Sequence, residues 1–383
     1  MKAGRFIVET HAHAQRVAAG PAVKEAMSKA AAEGRKLNPW RVLGESMPGL
    51  TPYDNTERLF YDMESYGVDM AVLLPAFGMT DELNAELVAR HPGKFVAEYG
   101  AMGYAKACRR GDIEWSIDTL VEDIRAALST GSYVGLGEVP PYTPVPPVGA
   151  NPADYIVSEE EQIRYIFKVA EVARELGVIL RVHSGWPMGY EGGHLTGSLG
   201  PINHNLLLVH DLAYNFPEVT FVINHGGIQG ATFEFLFEQC LQVAASHDNV
   251  YLETGLWWRE LYERALSQVN LGAEKLVWGT DWGASIPCVT HLGAPPHSHF
   301  EQVREAGPIQ HQSDYWGWSL NELLAVRCSQ DDRNLILGGN SARIYGLPVP
   351  YSRLFRPTSI DGVARPAIAT LREALAKKAE RGE

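Results

Sequence analysis

Short apolar runs rich in β-branched residues alternate with longer amphipathic stretches along most of the chain. The short runs are typical of strands and the long ones of helices. Strands are predicted at Arg5–Glu9, Asp69–Leu74, Phe95–Gly100, Tyr133–Glu138, Val178–His183, Val219–Asn224, Asn249–Thr254 and Leu276–Asp281. Helices include Ser158–Leu176, His204–Phe216, Ala231–His247 and Arg259–Asn270. Eight strands alternating with helices predict parallel βαβ units closed into a (β/α)8 barrel, that is, a TIM barrel of the α/β class.

Local signals agree with that pattern. Ser158 opens its helix with Ser-x-x-Glu, the signature of a capping box. The first predicted strand is not followed by Gly-x-Gly-x-x-Gly, and the sequence contains no Gly-x-x-x-x-Gly-Lys. A nucleotide-binding fold is therefore disfavoured.

Three long segments interrupt the alternation, at Ala14–Tyr53, Pro140–Pro152 and Pro287–Trp318. Each follows a predicted strand, so it would emerge at the carboxyl face of the barrel, where active sites of this fold lie. We expect lids or pocket walls there. Residues 1–347 are expected to form a single domain, and residues 348–383 a C-terminal extension that ends in a helix at Pro366–Arg381.

Composition narrows the class of protein. The 383 residues are 45% hydrophobic and 21% charged, which suits a globular protein with a large core. We expect no membrane span and no signal peptide, because the apolar runs are short. The net charge of -13 argues against nucleic-acid partners. Four widely spaced cysteines predict thiols in a reducing, cytoplasmic setting.

Candidate chemistry collects at strand ends. His11 and His13 end the first strand, and two histidines separated by one residue on an extended segment reach the same side. His183, His225 and Asp281 end or follow later strands in the same way. The ends of barrel strands converge on one cavity, so this set predicts a metal site.

The motifs ETHAH, RVHSG, FPEVTFVINHGG, VWGTDWG and LILGGNSARIYGL span most of residues 5–347. With them the sequence resembles the amidohydrolase-related family of the amidohydrolase superfamily, typified by aminocarboxymuconate semialdehyde decarboxylase and aromatic acid decarboxylases. The resemblance implies a metal-dependent barrel enzyme, and the family contains both hydrolases and non-oxidative decarboxylases.

The resemblance also implies roles for individual residues. His11, His13, His183 and Asp281 would hold one divalent metal ion, with Asp281 and His225 as the catalytic acid/base residues. This ligand set suits Zn²⁺ first, and Mn²⁺ also fits it.

Two further carboxylates leave the number of metal ions open. Glu138 ends strand four of the eight, where it could bridge a second metal ion; the alternative is an ion pair with Arg181. Glu253 is interpreted as a residue that orients a ligand histidine.

Substrate-binding candidates are chosen by residue type. Arginines suit carboxylate substrates, and aromatic rings near a barrel mouth suit planar ones. The candidates are Arg41, Arg58, Arg181, Trp186, Trp257 and Trp282. Weaker ones are Arg259, Trp258, Trp316, Trp318, Tyr142, Tyr190, His291, His297 and His299.

Together these features favour hydrolysis of a small aromatic or unsaturated molecule through an activated water. The alternatives are non-oxidative decarboxylation at the same metal site and an inactive barrel that only binds a partner. The expected partner is a small-molecule substrate, and the terminal helix is compatible with a homodimer.

Overall fold

The computed structural model describes residues 5–14, 16–19, 28–29, 32–33, 51–54, 56–75, 81–138, 143–147, 149–184, 205–228, 234–255, 257–283 and 315–349. Ten strands lie in these ranges: β1 Val8–Ala12, β2 Arg16–Ala19, β3 Thr51–Asp54, β4 Met70–Leu73, β5 Phe95–Tyr99, β6 Gly135–Leu136, β7 Ile179–Val182, β8 Phe221–Ile223, β9 Val250–Glu253 and β10 Leu276–Val277. The α-helices are α1 Thr56–Tyr66, α2 Asp81–Arg90, α3 Met102–Arg110, α4 Ile117–Leu128, α5 Glu159–Leu176, α6 Leu207–Asn215, α7 Glu234–Ser246, α8 Arg259–Leu266, α9 Tyr315–Ala325, α10 Gln330–Asn334 and α11 Asn340–Ile344. A π-helical turn, Leu335–Gly339, joins the last two helices.

Eight of the strands form one parallel sheet in the order β1, β4, β5, β6, β7, β8, β9, β10. The two ends of this sheet meet through a parallel bridge between Ala12 and Trp282. Around that seam, Thr10 donates its N–H to the Trp278 carbonyl at 3.1 Å and Trp282 donates to the His11 carbonyl at 2.9 Å. The predicted (β/α)8 barrel is therefore confirmed.

Seven of the eight predicted strands are shorter in the structure, whereas β1 keeps its predicted length of five residues and lies three residues further along the chain. The prediction ended strands at Asn224 and Asp281, whereas β8 ends at Ile223 and β10 at Val277. Two residues just beyond these ends, His225 and Asp281, have φ values of 59° and 58°, which a strand does not allow. The chain thus leaves the strand conformation where the candidate site begins.

Part of the long segment after β1 is ordered as a small sheet that the sequence pattern did not predict. β2 pairs with β3 in antiparallel fashion, with Arg16 opposite Asp54 and Ala19 opposite Thr51. This pair lies directly after His13, so it extends from the carboxyl end of the barrel. Within the part of the chain that the structure describes, no helix is long and apolar enough to cross a membrane.

Two buried clusters make up the core. The larger one joins the outer faces of the strands to the helices, as with Leu73, Leu180 and Ile223. The smaller one takes Val8, Val72, Val222 and their neighbours from the strands. Because alternate strand residues face opposite sides, the smaller cluster fills the barrel interior. Ala342, Tyr345 and Leu347 pack onto it, so the LILGGNSARIYGL motif closes one end of the barrel.

Helix boundaries follow local chemistry. Ser158 is the N-cap of α5, and its hydroxyl accepts the Glu161 N–H at 3.1 Å, as the Ser-x-x-Glu pattern predicts. Gly177 ends that helix in a left-handed conformation, φ 64°, which glycine adopts without a steric penalty. The helix is thereby bounded as predicted, and β7 follows it towards His183.

Candidate metal centre

The strand ends bring four histidines and two carboxylates together. His11 Nε2 lies 3.1 Å from His13 Nε2, and His13 Nε2 lies 2.9 Å from Asp281 Oδ1. Glu138 Oε2 is 3.6 Å from His11 Nε2 and 4.0 Å from His13 Nε2. Four of the predicted residues therefore share one small volume: His11 on β1, His13 just after β1, Glu138 after β6 and Asp281 after β10.

Glu138 also faces the other side of the cluster. Its Oε1 contacts His183 Nδ1 and lies 3.4 Å from His225 Nε2. Two groups of potential ligands consequently share this carboxylate, His11 with His13 and His183 with His225. The alternative of a Glu138–Arg181 ion pair is wrong, because the partner of Arg181 is Glu98.

Neighbouring acceptors orient the imidazoles. His13 Nδ1 faces the Leu74 carbonyl oxygen at 2.8 Å, and His11 Nδ1 faces Glu253 Oε2 at 3.1 Å. Carbonyl and carboxylate oxygens only accept, so in both rings Nδ1 donates its proton to them and Nε2 is the nitrogen directed into the cluster. The predicted contact between Glu253 and a site histidine is confirmed. This is the tautomer that metal-binding histidines need.

Three buried polar atoms of the cluster have no hydrogen-bond partner among the described residues. They are both ring nitrogens of His225 and Oδ2 of Asp281. Buried polar atoms are nearly always satisfied, and an unsatisfied group in a native fold points to a bound ion, water or ligand. Together with nitrogen and carboxylate donors, this observation fits a divalent cation.

The electrostatics point the same way. Burial disfavours charge on His11, but Glu138 and Asp281 outweigh burial and raise the pKa of His11 well above 6.5. Burial opposes ionisation of Glu138 too, yet His183 and His11 hold its pKa well below 4.5. The pKa of Asp281 is likewise lowered, against burial, chiefly by His11. The carboxylates stay anionic, and a cation can replace the proton that His11 holds.

The backbone of His225 is clamped in its left-handed conformation. Its N–H donates to Glu253 Oε2 at 2.8 Å, and its carbonyl accepts from Trp257 Nε1 at 2.9 Å. On either side, Ser184 Oγ donates to the Asn224 carbonyl and accepts the Gly227 N–H at 2.8 Å. These bonds over-determine a conformation that non-glycine residues rarely adopt, and such strain typically marks functional sites.

The structure gives the described substrate-binding candidates contacts inside the protein instead. Arg181 is fully buried and paired with Glu98. Trp257 is fully buried against the His225 loop, and the Trp282 indole donates to Asp62 at 3.0 Å. These residues position neighbours of the cluster, because sequence proximity to a strand end does not fix the side to which a side chain turns.

Of the remaining candidates, Arg259 pairs with Glu260 on the surface and Trp316 donates to Glu9. The Arg58 side chain lies outside the described part of the structure. The same holds for Arg41, Trp186, Tyr142, Tyr190, His291, His297, His299 and the whole extension from residue 350.

The sequence matches the model of a known protein family over most of its length. The model of the amidohydrolase family matches residues 8–347. The chain belongs to the amidohydrolase family and is an enzyme. No curated protein matches the sequence.

Several solved structures are similar to this chain at low sequence identity. A TIM-barrel protein from Bordetella bronchiseptica is 14% identical, with TM-score 0.50, over 89% of this chain and 99% of that one. A probable 2-pyrone-4,6-dicarboxylic acid hydrolase from Acinetobacter baumannii is 12% identical, with TM-score 0.46, over 89% and 99%. A dihydroxybenzoic acid decarboxylase from Polaromonas, solved with manganese, is 14% identical, with TM-score 0.48, over 92% and 100%. At 14% identity, the likeness to the Bordetella bronchiseptica protein shows the fold alone.

Sequence reasoning missed several residues that support the site. Ser184 holds the His225 loop, and Glu9 accepts the His11 N–H at 2.8 Å. Glu9 belongs to the ETHAH motif, two residues before His11. The signal in the sequence was an acidic residue directly after the apolar run Phe6–Val8, which is unusual for a buried position.

Proposed function

We propose that this amidohydrolase is a metal-dependent hydrolase of a small organic molecule. The observation that carries the proposal is the position of Glu138, whose two oxygens face two different groups of histidines. A carboxylate shared in this way suits a pair of ions, and paired ions are a common arrangement in hydrolases. A mononuclear decarboxylase site has no need of such a shared ligand.

The residues divide between two ion sites. His11, His13 and Asp281 would hold one ion, His183 and His225 the other, and Glu138 would contribute to both. Zn²⁺ is the ion that this histidine-rich set favours, with Mn²⁺ as the alternative. When bound, divalent cations supply Lewis acidity, which polarises a substrate oxygen and acidifies water.

Asp281 performs the proton transfers. Its Oδ1 is held by His13 at 2.9 Å, while its buried Oδ2 has no hydrogen-bond partner in the described part of the chain. Oδ2 is therefore placed to accept a proton from the attacking water and to return it to the leaving nitrogen or oxygen, which balances the hydrolysis of an amide, ester or lactone. In a site with one ion, His225 would share this work, because neither of its ring nitrogens has a hydrogen-bond partner within the ranges that the structure describes.

The first test is the metal content of protein purified without chelator, measured by elemental analysis. We expect about two ions per chain. Glu138→Gln should lower that content, and Asp81→Asn, which removes another buried carboxylate, should not. A content of about one ion that Glu138→Gln does not change would instead favour decarboxylation of an aromatic or unsaturated acid.

Activity supplies the second arm of the test. His11→Ala and Asp281→Asn should abolish whatever hydrolytic activity the wild-type enzyme shows against a panel of amides, esters and lactones. If both variants keep full activity, the assigned site is wrong. If the wild type binds no metal after reconstitution, the proposed function is wrong as a whole.

A further inference from the structure

The first strand of the barrel changes the side to which its residues point. Ile7 packs among the helices and Val8 inside the barrel, as alternation requires. Strict alternation would then place Glu9 and His11 on the same outer side as Ile7. The Nε2 atom of His11 nevertheless lies 3.1 Å from His13 Nε2, in the cluster at the mouth of the barrel.

A β-bulge explains the change. In the pairing of β1 with β4, Glu9 is opposite Ala71 and Ala12 is opposite Leu73, so the register shifts between them. Thr10 and His11 therefore share one partner position on β4. Bulges re-aim side chains, and they are frequent next to active sites.

The bulge removes the His11 N–H from the regular ladder, and Glu9 supplies its acceptor. Glu9 Oε1 accepts the His11 N–H at 2.8 Å and the Thr280 N–H at 3.0 Å. One oxygen atom thus joins the residue that precedes Asp281 to the backbone of His11. This link crosses the seam between β1 and β10, which the isolated bridge of Ala12 and Trp282 otherwise closes.

The second oxygen of Glu9 fixes the direction of the first. Oε2 accepts from the Thr280 hydroxyl at 2.7 Å and from Trp316 Nε1 at 2.6 Å. Glu9 is fully buried, and no arginine or lysine is among these partners. The carboxyl group is held by donors from β1, from the segment after β10 and from α9, so it cannot turn away without leaving several of them unsatisfied.

We propose that Glu9 is a positioning residue that stabilises the bulge in β1, and so aims His11 at the metal centre and fixes its distance from Asp281. This inference rests on the proposed function for its metal readout. The position of His11 then depends on an acceptor oxygen at the distance to which a glutamate side chain extends, rather than on a negative charge.

Two variants of Glu9 distinguish the effect of side-chain length from the effect of the carboxyl group. Glu9→Gln keeps an oxygen at the position of Oε1, and its amide N–H₂ can donate to Thr280 Oγ1, which also lies 2.9 Å from Trp316 Nε1. Glu9→Asp keeps the carboxyl group but is one methylene shorter, so its oxygens cannot span both N–H groups. Asp81→Asn is the matched control, because Asp81 is also a buried carboxylate that accepts backbone N–H groups, from Gly100 and Met102.

The measurement is the affinity for Zn²⁺ in competition with a chelator, together with the visible absorption spectrum of the Co²⁺-substituted protein. Glu9→Asp should weaken binding by about 10–100-fold and change the Co²⁺ spectrum, as expected when a residue that orients a ligand is altered. Glu9→Gln and Asp81→Asn should bind and absorb like the wild type. A purely structural role would lower stability in Glu9→Asp without changing the spectrum.

The opposite order, with Glu9→Gln weakened and Glu9→Asp like the wild type, would show that charge matters and would overturn the proposal. Equal affinities and spectra for all variants would overturn it as well. A metal-free readout keeps this test separate from the proposed function. The imidazole ¹⁵N signals of His11 should shift in metal-free Glu9→Asp and not in Asp81→Asn, even if the wild type binds no metal; an unchanged His11 signal would refute the inference.

Discussion

Two fully buried glutamates lie next to the cluster of histidines and carboxylates in different regions of the barrel. They are stabilised in different ways. Glu98, on β5 inside the barrel, is paired with Arg181 at 3.1 Å and accepts from the Tyr345 hydroxyl at 2.6 Å. Glu9, at the seam between β1 and β10, has hydrogen-bond donors from neutral groups only. Glu98 is stabilised by the positive charge of Arg181, and Glu9 is stabilised by hydrogen bonds from neutral donors.

The difference follows from what each region has to do. Arg181 lies two residues before His183, and its Nη1 donates to Asn224, the residue before His225, at 2.6 Å. A cation with several donors links three strands and the C-terminal motif within the barrel. At the seam only two strands have to be joined, and backbone N–H groups are already there. An extra cation would lie beside the site that is proposed to bind a cation.

A buried carboxyl group can thus be stabilised by a cation or by neutral hydrogen-bond donors, and the loss of each has a different consequence. Removing a cation leaves a buried charge uncompensated, which is costly. Removing one of several neutral donors leaves the others in place, which costs less.

Arg181→Met should destabilise the fold by about 3–5 kcal/mol, because Glu98 would remain buried without its cation. The free energy of unfolding is measured by urea denaturation of the metal-free protein. The double variant Glu98→Gln/Arg181→Met should recover part of the loss, since the uncompensated charge is gone. An Arg181→Met variant as stable as the wild type would show that the stability of the fold does not depend on the cation beside Glu98.

Asp81 provides a buried carboxylate that, like Glu9, has backbone N–H donors and lies outside the cluster. Burial raises the pKa of Asp81 to about 6 from an ordinary value of 3.8, despite hydrogen bonds from Gly100 and Met102. Between these pH values the folded chain holds a proton that the unfolded chain has released. The contribution of Asp81 to stability is therefore present below pH 3.8 and is lost as the pH rises through about 6.

The measurement is the unfolding free energy of the wild type and Asp81→Asn as a function of pH. The wild type should lose up to about 1.4 kcal/mol per pH unit relative to the variant in this window. Parallel curves would mean that the N–H donors alone keep the carboxylate ionised, and the distinction drawn above between donors and cations would fail.

Thr280→Val should have the smallest effect, about 0.5–1.5 kcal/mol, because it removes one neutral donor to Glu9 and preserves the branched shape of the side chain. The Thr280 N–H and Trp316 Nε1 remain as donors. Urea denaturation at constant pH is sufficient to measure it. A loss as large as that of Arg181→Met would show that the seam depends on this hydroxyl as heavily as the interior depends on its cation.

The alternation of short apolar runs and amphipathic helices determined the barrel, since each element carries its periodicity locally. The ligand-type residues at strand ends were visible for the same reason: parallel strands of a closed barrel bring their carboxyl ends together whatever their separation in sequence. His11, His13, His183, His225 and Asp281 were found in this way, and the structure brings all five together with Glu138. Their roles as ligands remain a proposal.

Only the tertiary structure decided what satisfies these residues. The bulge that turns His11 towards His13, the partner of Arg181 and the clamp around the His225 backbone all depend on contacts between residues far apart in the sequence. Such contacts leave no periodic signal, because each is a single pair of atoms chosen by packing and by the need to satisfy buried polar groups. Residue type and spacing predicted which residues come together at the strand ends. The direction in which each buried side chain points is set by its neighbours in space.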